Sequence, residues 1–253
     1  MRIHLLFPVV AFLFSQGALA CENLTSILKG AYPHTAIDLN VAQNVRCKVW
    51  PAHPEWTLIA ITIAQGDPER NQREPDADLA ILIVDSKTGM VRHRLLEPGM
   101  MNSDAYRKSL EGIDTAHYAV SPQALVFGVR TASAAGGWGH ASKLENLTLY
   151  ALDGTGLVRI MDDHLVSLDN QASAEFSAVT RGKSCGEREQ MKAYLVLDTG
   201  VHHGFKDIAI PTSHANFQCT LTSKNEERWV CTQLRKETDR LMYDGRRYVS
   251  QKN

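Results

Sequence analysis

Asp78-Leu79-Ala80-Ile81-Leu82-Ile83-Val84, then Asp85-Ser86-Lys87-Thr88-Gly89, then Met90-Val91-Arg92-His93-Arg94-Leu95-Leu96: two apolar arms around a turn read as a β-hairpin. The first arm is short and rich in β-branched residues, Asp85 to Thr88 supply turn chemistry, and Gly89 is free to take a positive φ. The same grammar returns along the chain. Leu147 to Leu152 leads through Asp153-Gly154-Thr155-Gly156 into Leu157 to Ile160, and Ala193 to Leu197 leads into a turn at Asp198-Thr199-Gly200. Leu241-Met242-Tyr243 and Arg246 to Val249 flank Asp244-Gly245, a two-residue turn of the tight primed type. Upstream, Val45 to Trp50 alternates, and Trp56 to Ala64 (WTLIAITIA) reads as a strand covered on both faces. The charged stretch 66–75 must be solvated. Leu24, Ile27, Leu28 and Ala31 lie at helical spacing within 22–31, which predicts a short helix stopped near Gly30 and Pro33. The hairpins have no constant interval, so a regular repeat array is not indicated. The expectation is a single mainly β domain of antiparallel hairpins, propeller-like or sandwich, after one short N-terminal helix.

The first 20 residues have a different character. Met1 to His4 is a short basic start, Leu5 to Phe14 is an uncharged apolar run, and Ala18-Leu19-Ala20 has the small-x-small pattern that signal peptidases cleave. The run is shorter than the about 20 apolar residues a membrane helix needs, and no later segment is long and apolar enough to cross a membrane. These features predict a signal peptide over 1–20 and a mature domain over 21–253, exported to the periplasm. Cys21 directly after the cut raises lipid attachment as an alternative, but Ala18 and Leu19 stand in the reverse of the lipobox order, so a soluble product is preferred. The chain has 27 basic and 28 acidic residues, with only Arg2 in the leader. That near-neutral balance argues against nucleic acid as a partner.

All five cysteines, at 21, 47, 185, 219 and 231, follow the leader. Export implies disulfides with one cysteine left over. Folding 217–222 and 228–232 as a hairpin around the polar tip 223–227 sets Cys219 opposite Cys231, which predicts that pair. For the others, Cys47–Cys185 would close the long, more stabilising loop, and Cys21–Cys47 is the local alternative.

Gly112 to Val120 (GIDTAHYAV), followed by Leu125 to Arg130 (LVFGVR), resembles a segment of uncharacterised exported proteins of Proteobacteria. Tyr243 to Tyr248 (YDGRRY) is similar to the terminal hairpin of secreted β-rich proteins of that kind. The resemblance covers a small part of the chain. It implies a bacterial envelope location and a β fold, and brings no reaction or site residues.

Catalytic chemistry has few footholds. Leu195 to Gly200 (LVLDTG) resembles the apolar-Asp-Thr-Gly motif of aspartic proteases, whose chemistry needs a second carboxylate to share a proton. Asp114-Thr115-Ala116 is the nearest internal analogue, with Ala in place of Gly. Asp-Thr-Gly is also ordinary turn material, and that reading is preferred. His202 and His203 adjoin this motif, and Asp162-Asp163-His164 sets carboxylates beside an imidazole. Successive strand residues face opposite ways, so His202 and His203 could share a metal only in a loop. HExxH, paired CxxC, Gly-x-Ser-x-Gly and phosphate-cradling glycine motifs do not occur. No metal or cofactor is therefore expected. Ala135-Gly136-Gly137-Trp138-Gly139-His140 is a glycine-rich loop around a large aromatic anchor, which nominates Trp138 and His140 for binding.

The function these features imply is a non-enzymatic periplasmic binding or interaction protein. Its partner would be an envelope protein, a toxin it neutralises or a small ligand. The alternative is a periplasmic hydrolase on a non-contiguous site of Asp198, His202 and His203, with Asp162, Asp163 and His164 behind them.

Overall fold

In the first sheet four strands follow one another as an antiparallel meander: β1 (Val45–Trp50), β2 (His53–Ala64), β3 (Ala77–Asp85) and β4 (Val91–Glu97). The computed structural model describes residues 19–33, 45–64, 77–102, 106–137, 139–154, 156–173, 184–222 and 226–251. β3 is buried from Ala77 to Val84, because both faces of this sheet are covered. Ile59, Ile61, Ile63, Ala80, Leu82 and Val84 point toward α2 (Leu24–Ala31), which lays Ile27, Leu28 and Ala31 on them. The four-residue α1 (Leu19–Glu22) precedes it. The hairpin turn is fixed by Asp85, whose Oδ1 accepts from the Lys87 and Thr88 amides and the Thr88 hydroxyl. Those Thr88 bonds hold the Asp85 carboxyl down at about 2, and Gly89 has φ +70°.

The second sheet contains β5 (Arg107–Asp114), β6 (Leu125–Gly137), β7 (His140–Asp153), β8 (Gly156–Ser173), β9 (Ser184–Ala193), β10 (Val196–His202), β11 (Phe205–Leu221), β12 (Glu227–Tyr243) and β13 (Tyr248–Ser250). Its order is β13-β12-β11-β9-β8-β7-β6-β5, with β10 added beside β11. One face of β5–β8 meets the first sheet: Leu110, Phe127, Val129, Tyr150 and Leu152 pack on Leu58, Ala60, Leu79, Ile81 and Ile83. On the other face Val126, Leu147, Leu149 and Ile160 share a core with Ile208, Ile210, Leu241, Tyr243 and Tyr248. β13, at one end of the order, also contacts β8 in its middle, so this sheet curls over the face that carries the shared core. The fold is mainly β and antiparallel, one domain, and of the two arrangements expected it shows sheet-on-sheet packing.

Several expectations need correction. Cys21 is bonded to Cys47, with Cα atoms 5.8 Å apart, so Cys47–Cys185 does not form. The local pair wins because α2 packs beside β1, with Val45 and Cys47 against its apolar cluster. Cys219–Cys231 does not form either: Cys219 is in a disulfide while Cys231 is a free, exposed thiol. The hairpin closes tighter than expected, with Leu221 opposite Glu227 and the Thr222 amide bonded to Glu226 O at 2.9 Å. Cys219 therefore stands opposite Trp229, and Cys231 opposite Phe217. On its other side Cys219 pairs with Gly186 and Thr220 with Ser184, so the backbone bulge falls at Cys185. Asp198-Thr199-Gly200 is not the turn that ends a strand. It is an irregularity within β10, and the hairpin turns at His203 (φ +50°) and Gly204 (φ +80°). The terminal turn spans four residues rather than two, because Tyr243 pairs with Tyr248 and Asp244 N bonds to Arg247 O. The stretches 1–18 and 66–75 lie outside the described residues.

Candidate functional site

Asp114 closes β5 and accepts the Ala116 amide at 2.9 Å. Arg130, from the middle of β6, grips the same carboxylate through Nε at 2.9 Å and Nη2 at 2.6 Å, and reaches Glu145 of β7 at 2.7 Å. Burial opposes ionisation of Asp114, but the Ala116 amide and the Arg130 guanidinium outweigh it and hold the carboxyl below its ordinary value. Gly128 allows this approach, since a Cβ there would come within 2.6 Å of Leu147 Cδ1 and 3.2 Å of Asp114 Cβ. The clamp anchors the segment 115–124. Tyr118 bonds to Asp114, and burial followed by that carboxylate pushes its phenol up. Val120 and Ala124 enter the curled-sheet core, and Val120 O accepts the Lys206 amide at 2.7 Å.

Across from this segment the β1–β2 turn supplies a second wall. Trp50 is buried and stands edge-on to Phe127 at 5.3 Å and to His53 at 5.4 Å. His53 stacks on Trp56 at 5.2 Å and places Nδ1 3.3 Å from Glu55. Between the walls is a cleft of about 420 Å³ whose surface includes Trp50, His53, His117, Tyr118, Ser121 and Leu125. Among the described residues, no carboxylate, lysine or arginine lines it. Such a site can hold a flat, neutral group against rings and imidazoles.

The residues nominated from sequence lie elsewhere and do not converge. Asp198 accepts the Thr199 amide at 2.7 Å and pairs with Arg240 at 3.1 Å. Asp114 is committed to Arg130, so no carboxylate pair forms with Asp198. His202 pairs with Asp207 at 2.7 Å on the exposed face of the β10–β11 hairpin, whereas His203 sits at its tip against Gly245. Asp162 is held by Arg159 at 3.2 Å and Arg247 at 2.9 Å. Asp163 instead accepts from Lys108, Thr131 and Asn146, at 3.2, 3.3 and 3.2 Å. Burial pushes the His164 imidazole down, opposed by Asp239. Among the described residues no three His, Cys, Asp or Glu side chains gather as a metal site, and no helix is long and apolar enough to cross a membrane. Trp138 lies outside the described residues. His140 is exposed at the start of β7, and the cleft residues Leu125 and Val126 pair with the far end of that strand.

Sequence reasoning missed the cleft. Its signal was the pair of tryptophans around Pro51-Ala52-His53-Pro54, two large rings flanking a turn, but nothing local shows that 115–124 folds across them. No family model, curated protein or solved structure matches the chain.

Proposed function

We propose that this is an exported, non-enzymatic binding protein of the bacterial periplasm, and that its ligand is a small neutral molecule carrying a flat unsaturated ring. The cleft carries this reading: aromatic and imidazole walls, no fixed charge, and a volume within the usual range for small-molecule sites. The leader-like residues 1–20 and the Cys21–Cys47 bond support export. Ring stacking on His53 and His117 and contact with Trp50 would supply the affinity, while the Asp114–Arg130 clamp keeps the far wall in place.

Indole and 1-naphthol serve as probes. Saturable change of tryptophan fluorescence is expected with at least one, together with a raised melting temperature. His53→Ala and His117→Ala should each weaken binding about 10-fold, consistent with loss of one stacking contact. Failure of both probes to bind at millimolar concentration, or binding indifferent to both variants, would overturn the proposal. The His202–Asp207 pair favours a hydrolase as the second reading, because a carboxylate that orients an imidazole is part of a general-base device. An esterase or peptidase activity lost in His202→Ala would establish it.

A further inference from the structure

Where β8, β9 and β11 run out beyond the cores, their register lays polar side chains on one face of the sheet. Asn170 of β8 stands beside Glu189 of β9, and Glu189 beside Asn216 of β11. Two residues along each strand, Ala172, Glu187 and Gln218 stand side by side in the same way. No register shift interrupts these positions, so all six side chains share one face. Neighbours are about 7 Å apart along a strand and about 5 Å apart between strands. The six line a cleft of about 500 Å³, within the usual range for small-molecule sites. Its rim is β12: the Asn216 Nδ2 amide donates to Gln233 Oε1 at 3.3 Å, and Thr232, the extra residue of the bulge, donates its hydroxyl to Asn216 O at 3.1 Å. Asn170 Oδ1 is shielded from solvent and, among the described residues, has no hydrogen-bond partner.

We infer that this second cleft binds a neutral saccharide. Three side-chain amides and two carboxylates on one face offer what vicinal hydroxyls need: carboxylate and amide oxygens accept O–H donors, and amide N–H groups donate to hydroxyl and ring oxygens. Ala172, short between longer neighbours, leaves room for a sugar ring above the sheet. Turning the Asn170 amide toward a ligand hydroxyl would satisfy its orphaned oxygen. Other ligand classes fit less well. Glu187 and Glu189 repel an anion, and Arg188, which borders the cleft, belongs by register to the opposite face, where Asp169 holds it through Nε at 2.7 Å and through Nη2. Among the described residues no other cation borders the cleft. Phe217, paired with Arg188, also sits on that opposite face, so an aromatic platform for a flat apolar ring is lacking here. Too few acidic or imidazole groups converge to hold a metal. The site shares no described lining residue with the cleft at Trp50 and His53 and does not depend on that cleft's ligand.

The test is titration of the full nitrogen-15-labelled chain with maltotriose, cellotriose and tri-N-acetylchitotriose, followed at the side-chain amide signals of Asn170, Asn216 and Gln218. At least one of the three should shift these signals saturably at millimolar concentration. Asn170→Ala and Gln218→Ala should each weaken that binding about 10-fold, the loss of one or two hydrogen bonds, and melting curves check that both variants are folded. Glu189→Gln should change it by less than about 3-fold, because an amide oxygen still accepts from a hydroxyl, and raising sodium chloride to about 0.5 M should leave it unchanged. Spermidine is the counter-probe. Failure of all three saccharides to move the signals at about 20 mM, or binding indifferent to both alanine variants, would overturn the inference. Spermidine bound at these residues more tightly than any saccharide, and released by salt or by Glu189→Gln, would also overturn it, since the cleft would then be a cation site.

Discussion

At Gly200 a side chain is forbidden by a neighbour rather than by backbone angles. A Cβ there would collide with Asp207 Oδ2, the carboxylate that His202 also holds. Gly200→Ala must therefore push Asp207 away and disturb the His202 pair, at a cost of about 1–3 kcal/mol. Asp198→Asn should cost less than about 1 kcal/mol, because its partner Arg240 is largely exposed. Urea unfolding of both variants checks this ordering. Asp114 is the residue whose charge matters more. Its carboxyl titrates lower in the folded chain than in the unfolded one, so it contributes stability at pH above the ordinary aspartate value. That contribution is lost as pH falls through the folded value. Asp114→Asn should cost about 2 kcal/mol at neutral pH, a charged hydrogen-bond pair removed from a part-buried site. The difference from wild type should shrink below the ordinary aspartate range. Melting temperatures of both chains from pH 7 to pH 3 measure it.

Among the elements, the helices depend on the first sheet for their place, and the Cys21–Cys47 bond fixes them there. It closes 26 residues of separation, for which chain entropy gives about 3–4 kcal/mol. Replacing both cysteines by serine should lower stability by about that amount, and protease should then cut first near α2; denaturant curves and limited proteolysis test the two parts. The strands were legible wherever local pattern decides them: Val45 to Trp50, the β3–β4 hairpin and the helix at Leu24 were all expected from periodicity and turn residues. The cysteine pairing was not, because a cross-strand pair depends on hairpin register. The bond between Thr222 and Glu226 shifts that register by two residues, which no local pattern shows. Asp198-Thr199-Gly200 has turn composition, yet β10 continues through it because Gly200 is needed against Asp207. The cleft was illegible for a related reason, since its walls come from segments about 65 residues apart, brought together by sheet packing.

On the scale of the whole molecule, burial is divided unevenly. β2 and β3 have both faces covered, by α2 on one side and by the second sheet on the other, and β6 and β7 lie between two cores. Out beyond these cores β12 runs with mostly exposed residues and, among the described residues, no strand beside Glu227 to Asp239 on the side away from β11. Local opening free energy follows burial, so the last amides to exchange with deuterium should belong to Leu58–Ile63 and Leu79–Val84. In β12 amides pointing toward β11 alternate with amides pointing outward on either side of the bulge at Thr232, where the alternation shifts by one residue. Exchange should therefore alternate, slow then fast, over Glu227 to Cys231 and again over Gln233 to Asp239, with the phase shifted at the bulge. Residue-level exchange on the folded chain tests both parts, because the outward amides of β12 meet solvent directly whereas only unfolding would expose the β3 amides.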